Sequence, residues 1–258
     1  MPYIDAGGVS TYYEVDGAGE PLILLHGGTA PIETLAAQRA ALSRRYRVWL
    51  PERRAQGRTG DVDGPITYEL MAADTAAFMD AMAIGRAHFV GWSYGANVSM
   101  VLATMQPQRI RSLVLVGGNF HYSGLTAEFV ETARAATPET WFPPLNAMNQ
   151  ALSPDGPAHF AVALEKLTTM WLAGPTLTPA ELARVEVPAL VLVGDNDVIT
   201  LEHTVELYRS LPNAQLCVVP GASHGVLVEK PALANGIILD FLTSVGEGPT
   251  ESAEVASP

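Results

Sequence analysis

The sequence predicts an α/β fold, a mostly parallel sheet flanked by helices, and three observations predict it. Short apolar runs alternate with stretches of helical periodicity, the pattern of consecutive βαβ units. The runs are nearly continuous Val, Leu and Ile, which suits strands buried on both faces. The alternation breaks once, between Asn119 and Val185, where helical patterns follow one another without a strand.

In chain order, Val9 to Val15, with Tyr12 and Tyr13, reads as an antiparallel strand near the sheet edge. The parallel candidates are Leu22–Leu25, Tyr46–Leu50, Ala87–Val90, Leu113–Val116, Leu190–Val193 and Leu216–Val219. Helical patterns over Ile32–Leu42, Thr67–Ile84, Tyr94–Met105, Leu201–Ser210 and Pro231–Leu242 return the chain between them. Inside the interruption lie Ala127–Ala136, Thr140–Leu152 with a break at Pro143-Pro144, and Ala158–Ala173. An insertion hung on the carboxyl end of a strand stands where open parallel sheets bind ligands. Its Trp141, Phe142, Met148, Met170 and Trp171 suit a lid over an apolar pocket. Residues 1–118 and 186–246 are thus expected to form the core, 119–185 a helical lid inserted after the strand ending near Gly117, and 247–258 a solvated tail.

Composition narrows the function. Of 258 residues, 48% are hydrophobic and 16% charged, enough apolar material for a packed core. The net charge of −12, from 27 acidic and 15 basic residues, argues against nucleic acid or an anionic membrane as partner. Neither a secretory leader nor an apolar stretch of spanning length is evident, so a cytoplasmic protein without membrane insertion is expected. The single cysteine, Cys217, lies in an apolar run and reads as a buried structural thiol. Metal-ligand spacings and nucleotide-binding fingerprints are absent, so no cofactor and no metal are expected. Oligomeric state does not follow from the sequence.

The strongest motif is Gly91-Trp92-Ser93-Tyr94-Gly95, a G-x-S-x-G pattern. It follows the run His88-Phe89-Val90 and precedes a helical stretch, the strand-turn-helix setting in which Ser93 is held above the sheet as a nucleophile. The glycines are there because larger side chains would collide across so sharp a turn. A serine nucleophile needs a base, and His224, in the loop Pro220-Gly221-Ala222-Ser223-His224-Gly225 after the last strand, fits best. Among the other histidines, His88 in a strand reads as structural, while His159 and His203 read as solvated helix-surface residues. His121, at the start of the insertion, is a candidate substrate contact, as are Thr29, Trp92, Trp141 and Trp171.

These motifs resemble the α/β-hydrolase superfamily, in its serine-nucleophile, lidded, esterase-like branch, from Tyr3 to about Thr243. In the lid the match is one of position and helicity only. The resemblance selects Asp197 of Gly194-Asp195-Asn196-Asp197 as the acid that orients His224, with Asp195 as the alternative. It gives His26 a loop-supporting role. It places the backbone amides of Gly28 and Tyr94 at the oxyanion, with Thr29 an alternative to Gly28. The segment Glu52-Arg53-Arg54-Ala55-Gln56-Gly57-Arg58-Thr59 resembles the family's D-x-R-G-x-G-x-S loop but puts Glu52, Ala55 and Gln56 where Asp, Gly and His are usual. A positive φ at Ala55 would cost about 1 kcal/mol. The implied activity is hydrolysis of a small-to-medium apolar carboxylic ester or lactone through an acyl-enzyme. Relatives that use aspartate at the elbow, haloalkane dehalogenases and epoxide hydrolases, do not fit Ser93. Carbon–carbon bond hydrolases and perhydrolases keep the serine and stay open, as do a non-hydrolytic ligand receptor and a natural-product lyase or cyclase.

Overall fold

The structure, a computed structural model, describes residues 2–246, so the expected tail over 247–258 lies outside the described residues. Among these residues the strands are β1 (Tyr3–Ala6), β2 (Val9–Asp16), β3 (Glu20–Leu25), β4 (Tyr46–Pro51), β5 (Ala87–Trp92), β6 (Ile110–Val116), β7 (Ala189–Asn196) and β8 (Ala214–Ser223). They form one sheet in the order β1-β2-β4-β3-β5-β6-β7-β8. β2 pairs antiparallel with β1 and β4, and every other pairing is parallel.

The helices are α1 (Ala36–Leu42), α2 (Tyr68–Ala81), α3 (Tyr94–Met105), α4 (Ala127–Arg134), α5 (Pro143–Leu152), α6 (Phe160–Ala173), α7 (Pro179–Leu182), α8 (Leu201–Ser210), α9 (Val226–Glu229) and α10 (Pro231–Gly246). Thr67, Thr126, Thr178 and Thr200 cap α2, α4, α7 and α8 through their side chains, satisfying first-turn amides that would otherwise lack a partner. The Pro143-Pro144 pair does not break a helix. It starts α5, where a missing N–H costs nothing.

Side-chain alternation divides the interior in two. Leu22, Leu24, Val48, Val90, Val114 and Leu192 face one side, under Ile238 and Phe241 of α10. Ile23, Leu25, Phe89, Leu113 and Val191 face the other, with Phe78 of α2. That second cluster runs on into Trp141, Phe160 and Trp171 of the 119–185 insertion, so the insertion shares a core with the sheet.

The strand order also positions the site. After β3 the chain crosses to β4 on one side and then returns to β5 on the other. Connections leaving adjacent strands in opposite directions open a crevice at their carboxyl ends. Here it lies between the His26 loop after β3 and Ser93 after β5.

One strand is added and two expectations change. β1 carries only four residues and no apolar run, and the sequence pattern missed it. Cys217 is half-buried, because β8 is an edge strand whose flank stays open. His203 is buried, its ring stacked on Phe120 at 4.1 Å, because α8 packs beneath the start of the insertion. Its Nε2 accepts the Phe120 amide proton at 3.3 Å, which requires an unprotonated nitrogen. His88 is buried as expected and is hydrogen-bonded to Ser112.

Two stability predictions follow from this geometry. Burial, helped by the charge of His121, pushes His203 from its ordinary value of 6.5 down to about 4. A histidine whose pKa is depressed by folding gives stability that is complete above pH ~6.5 and lost as pH falls toward 4, on the order of 3 kcal/mol in all. Thermal midpoints of wild type and His203→Gln between pH 7 and 4.5 should diverge, the variant showing the shallower acid limb; parallel curves would contradict the assignment. Ala55 has φ 62°. Relief of left-handed strain, less the added freedom of glycine in the unfolded chain, leaves Ala55→Gly more stable by about 0.5 kcal/mol. Calorimetry should show the melting midpoint rise by about 1–2 °C.

Candidate active site

Ser93 sits between β5 and α3 with φ 55° and ψ −125°, a conformation that L-residues rarely adopt. The flanking glycines make it possible. A Cβ on Gly91 would overlap the Gly95 carbonyl, and one on Gly95 would lie 2.6 Å from the Leu25 carbonyl oxygen. The serine hydroxyl is thereby lifted off the strand end toward the loops that follow β7 and β8.

Those loops deliver the two partners expected from the sequence. The Ser93 hydroxyl donates to His224 Nε2 at 2.7 Å, and His224 Nδ1–H donates to Asp197 Oδ1 at 2.7 Å. Asp197 is completely buried at its carboxylate, whereas the His224 ring keeps 25% exposure. Asp195 takes no part: it is exposed and accepts the Ala222 amide at 3.2 Å. Gly117, after β6, has φ 56°, and a Cβ there would lie 3.0 Å from His224 Nδ1 and 3.1 Å from Asp197 Oδ2. A side chain at that position would press on the hydrogen-bonded line.

Gly28 and Tyr94 line the same cavity as Ser93, and their backbone amides have no acceptor among the described residues. Tyr94 opens α3, so its amide also carries the partial positive charge of a helix N-terminus. Thr29 is not available as a donor, because its amide is held by Gln56 Oε1 at 2.8 Å. His26 supports the loop as expected. Its Nε2 accepts the Arg53 amide at 3.3 Å and its Nδ1–H faces the Gly27 carbonyl at 2.8 Å. Burial and the neighbouring Arg53 charge hold it neutral, well below the usual histidine range.

These groups open onto a cavity of about 780 Å³ lined mainly by apolar side chains. Of the expected substrate contacts, Trp92, Trp141 and Trp171 line it. Trp92 does more, since its Nε1–H donates to the His224 carbonyl at 2.8 Å and fixes the histidine loop. Thr29 and His121 do not line it. The Thr29 hydroxyl accepts from Trp141 Nε1 at 3.1 Å, and His121 turns away to Ser123 at 2.8 Å and stacks on Tyr122. The sequence reading missed Tyr68, Asn97, Asn119, Phe129, Glu33 and Glu229, all of which line the cavity. Asn97 was the one within reach of a sequence argument, one helical turn beyond the elbow serine on α3.

The insertion is fastened to this apparatus. Asn149 of α5 donates to the Thr29 carbonyl and accepts the Gly57 amide at 2.9 Å, bridging the loops after β3 and β4. Lys166 and His159 both reach Asp61, at 2.6 and 2.8 Å, and hold its carboxyl below the usual range against the opposing effect of burial. Trp141 and Trp171 stack at 5.3 Å, and Trp171 rests directly on Gly28.

Known proteins resemble this chain over most of its length. The profile of a family described as "Alpha/beta hydrolase family" matches residues 22–235. A protein of Azorhizobium caulinodans provisionally named carbamate hydrolase RutD is 28% identical, the alignment covering 96% of this chain and 100% of the relative. A 2-hydroxy-6-oxo-6-(2'-aminophenyl)hexa-2,4-dienoic acid hydrolase of Metapseudomonas resinovorans is 26% identical, with 93% and 90% covered. The crystal structure of a hydrolase from Pseudomonas aeruginosa PA01 superposes with a TM-score of 0.73 at 30% identity, covering 92% of this chain and 96% of that one.

Gly28 has no positive φ, so alanine suits its backbone, and the obstacle is the Trp171 ring. Gly28→Ala should push Trp171 off the loop and lower kcat at least tenfold with little loss of fold. Combining it with Trp171→Leu should restore part of the rate. A double variant no faster than Gly28→Ala would show that the amide, not the ring, is what the methyl disturbs.

Proposed function

This chain belongs to the alpha/beta hydrolase family, and from that premise we propose that it is a serine hydrolase cleaving small-to-medium apolar carboxylic esters or lactones through an acyl-enzyme. The observation that carries the reading is the continuous pair of 2.7 Å hydrogen bonds from Ser93 through His224 to Asp197. Ser93 Oγ attacks the carbonyl while its proton passes to His224 Nε2. Asp197 holds the imidazole in the tautomer that can accept that proton and stabilises the imidazolium formed. The Gly28 and Tyr94 amides receive the negative charge on the carbonyl oxygen, supported by the α3 N-terminus.

His224 then returns the proton to the leaving alkoxide, the acyl-serine is left, and the same imidazole activates water for its release. The 119–185 insertion acts as a lid. Trp141, Phe129 and Leu125 of the insertion form the wall of a cavity in which little of the surface is polar, which matches an apolar acyl or alcohol group. Carbon–carbon bond cleavage is the second reading, favoured by the likeness to the Metapseudomonas resinovorans enzyme.

The test is intact-mass spectrometry after fluorophosphonate treatment, with wild type and Ser93→Ala in parallel. One adduct is expected on wild type and none on the variant, together with a loss of p-nitrophenyl ester hydrolysis of at least about 10³-fold. Unchanged hydrolysis by Ser93→Ala would overturn the mechanism.

A further inference from the structure

The charges around the cavity are one-sided. Its ionisable lining consists of Glu33, Glu229, Tyr68, Tyr94 and His224, and among the described residues no lysine or arginine lines it. Glu229 is kept ionised by its hydrogen bonds from the Ser223 hydroxyl and amide, which hold it below the usual glutamate range. Glu33 is paired with Arg58, which also binds the fully buried Glu52 at 2.8 Å. Arg53, the nearest buried cation, stacks on the Tyr94 ring at 4.0 Å, donates to the His26 carbonyl and does not reach the cavity wall.

The polar groups deeper in the cavity are neutral. Asn97 donates to Asn119 Oδ1 at 2.8 Å and to Tyr68 Oη at 3.2 Å, and its own oxygen accepts the Asn119 amide at 2.8 Å. The Tyr68 hydroxyl, whose ionisation burial opposes, thus accepts a hydrogen bond while its proton has no oxygen or nitrogen acceptor among the described residues. It suits a carbonyl, ether or ring oxygen. A carboxylate brought here would shed its hydration shell and find no lysine or arginine on the wall, and it would enter past the exposed Glu33 and Glu229 carboxylates. The overall charge of −12 opposes its approach as well.

We propose, on the hydrolase reading above, that the cavity selects uncharged or cationic esters and rejects those whose acyl or alcohol part carries a carboxylate, with Tyr68 donating to a neutral oxygen of the substrate. The dienoic acid in the name of the Metapseudomonas resinovorans relative bears such a carboxylate, and this cavity offers it no counter-charge.

Binding can be separated from turnover. Three p-nitroanilides of matched length, from pentanoic acid, glutaric acid (one free carboxylate) and 4-trimethylammoniobutanoic acid, are titrated calorimetrically into Ser93→Ala at neutral pH and low salt. The neutral and cationic anilides should bind at least about 30-fold more tightly than the glutaryl one. Thr34→Lys in the same background, which sets a cation on the cavity wall, should narrow that ratio at least about tenfold. Equal or tighter glutaryl binding, binding of none of the three, or a ratio indifferent to Thr34→Lys would overturn the proposal. The matching p-nitrophenyl esters, tested on wild type, judge hydrolysis separately. If none is cleaved while the binding order holds, charge selection stands and the hydrolase reading falls.

Discussion

The site depends on how closely α3 approaches the carboxyl end of β3. Gly95 places its Cα where any side chain would strike the Leu25 and His26 carbonyls, so the first turn of α3 lies directly against the loop that follows β3. Ser93, the residue before that turn, keeps φ 55° and ψ −125°. The strain stored at Ser93, of order 1–3 kcal/mol, is sustained because both neighbours are fixed. β5 is buried throughout, its residues paired to β3 and β6, and α3 is buried from Tyr94 to Ala103. A nucleophile on a more mobile segment would relax out of this geometry.

Around that contact the chain has built its own bracing. Gln56 spans α3 and the loop after β3, its oxygen on the Thr29 amide and its nitrogen on Tyr94 Oη at 2.7 Å. Arg53 ties the same elements from below through His26 and the Tyr94 ring. Its guanidinium is fully buried with two nitrogens unpartnered, and burial draws its pKa down. An unpaired buried cation is costly by itself. The guanidinium's remaining contact is the face of the Tyr94 ring, 4.0 Å away. Ala55 at φ 62° and Glu52, raised by burial to about 7, are the strained members of the same loop.

Legibility in the sequence followed the range of the interactions. Buried parallel strands announce themselves because both faces are apolar, and β3 to β7 were readable on that ground; β8, half-open at the edge, misled about Cys217. The elbow was readable because strand, turn and helix are contiguous. His224 and Asp197 needed loop position and family likeness, since what joins them is spatial. Tyr68, Asn97 and Asn119 were not readable as a unit: they come from α2, α3 and the start of the insertion, and only the fold makes them neighbours. His203 failed for the same reason, its periodicity describing a surface helix that the insertion then covers.

The insertion bears on chemistry as much as on fit. Trp171 lines the cavity and at the same time packs onto Gly28, while Trp141 and Asn149 hold Thr29. The cavity wall and the loop after β3 are thus one packed body. Side chains in such a body cannot be resized without displacing their neighbours. A change at Trp171 that enlarges the cavity also removes its packing on Gly28, so on the acyl-enzyme reading proposed above acceptance of a larger acyl group and the rate of attack on it are not independent. Met148, which also lines the cavity, is the position to substitute for a change of cavity shape that leaves the Trp171–Gly28 packing in place.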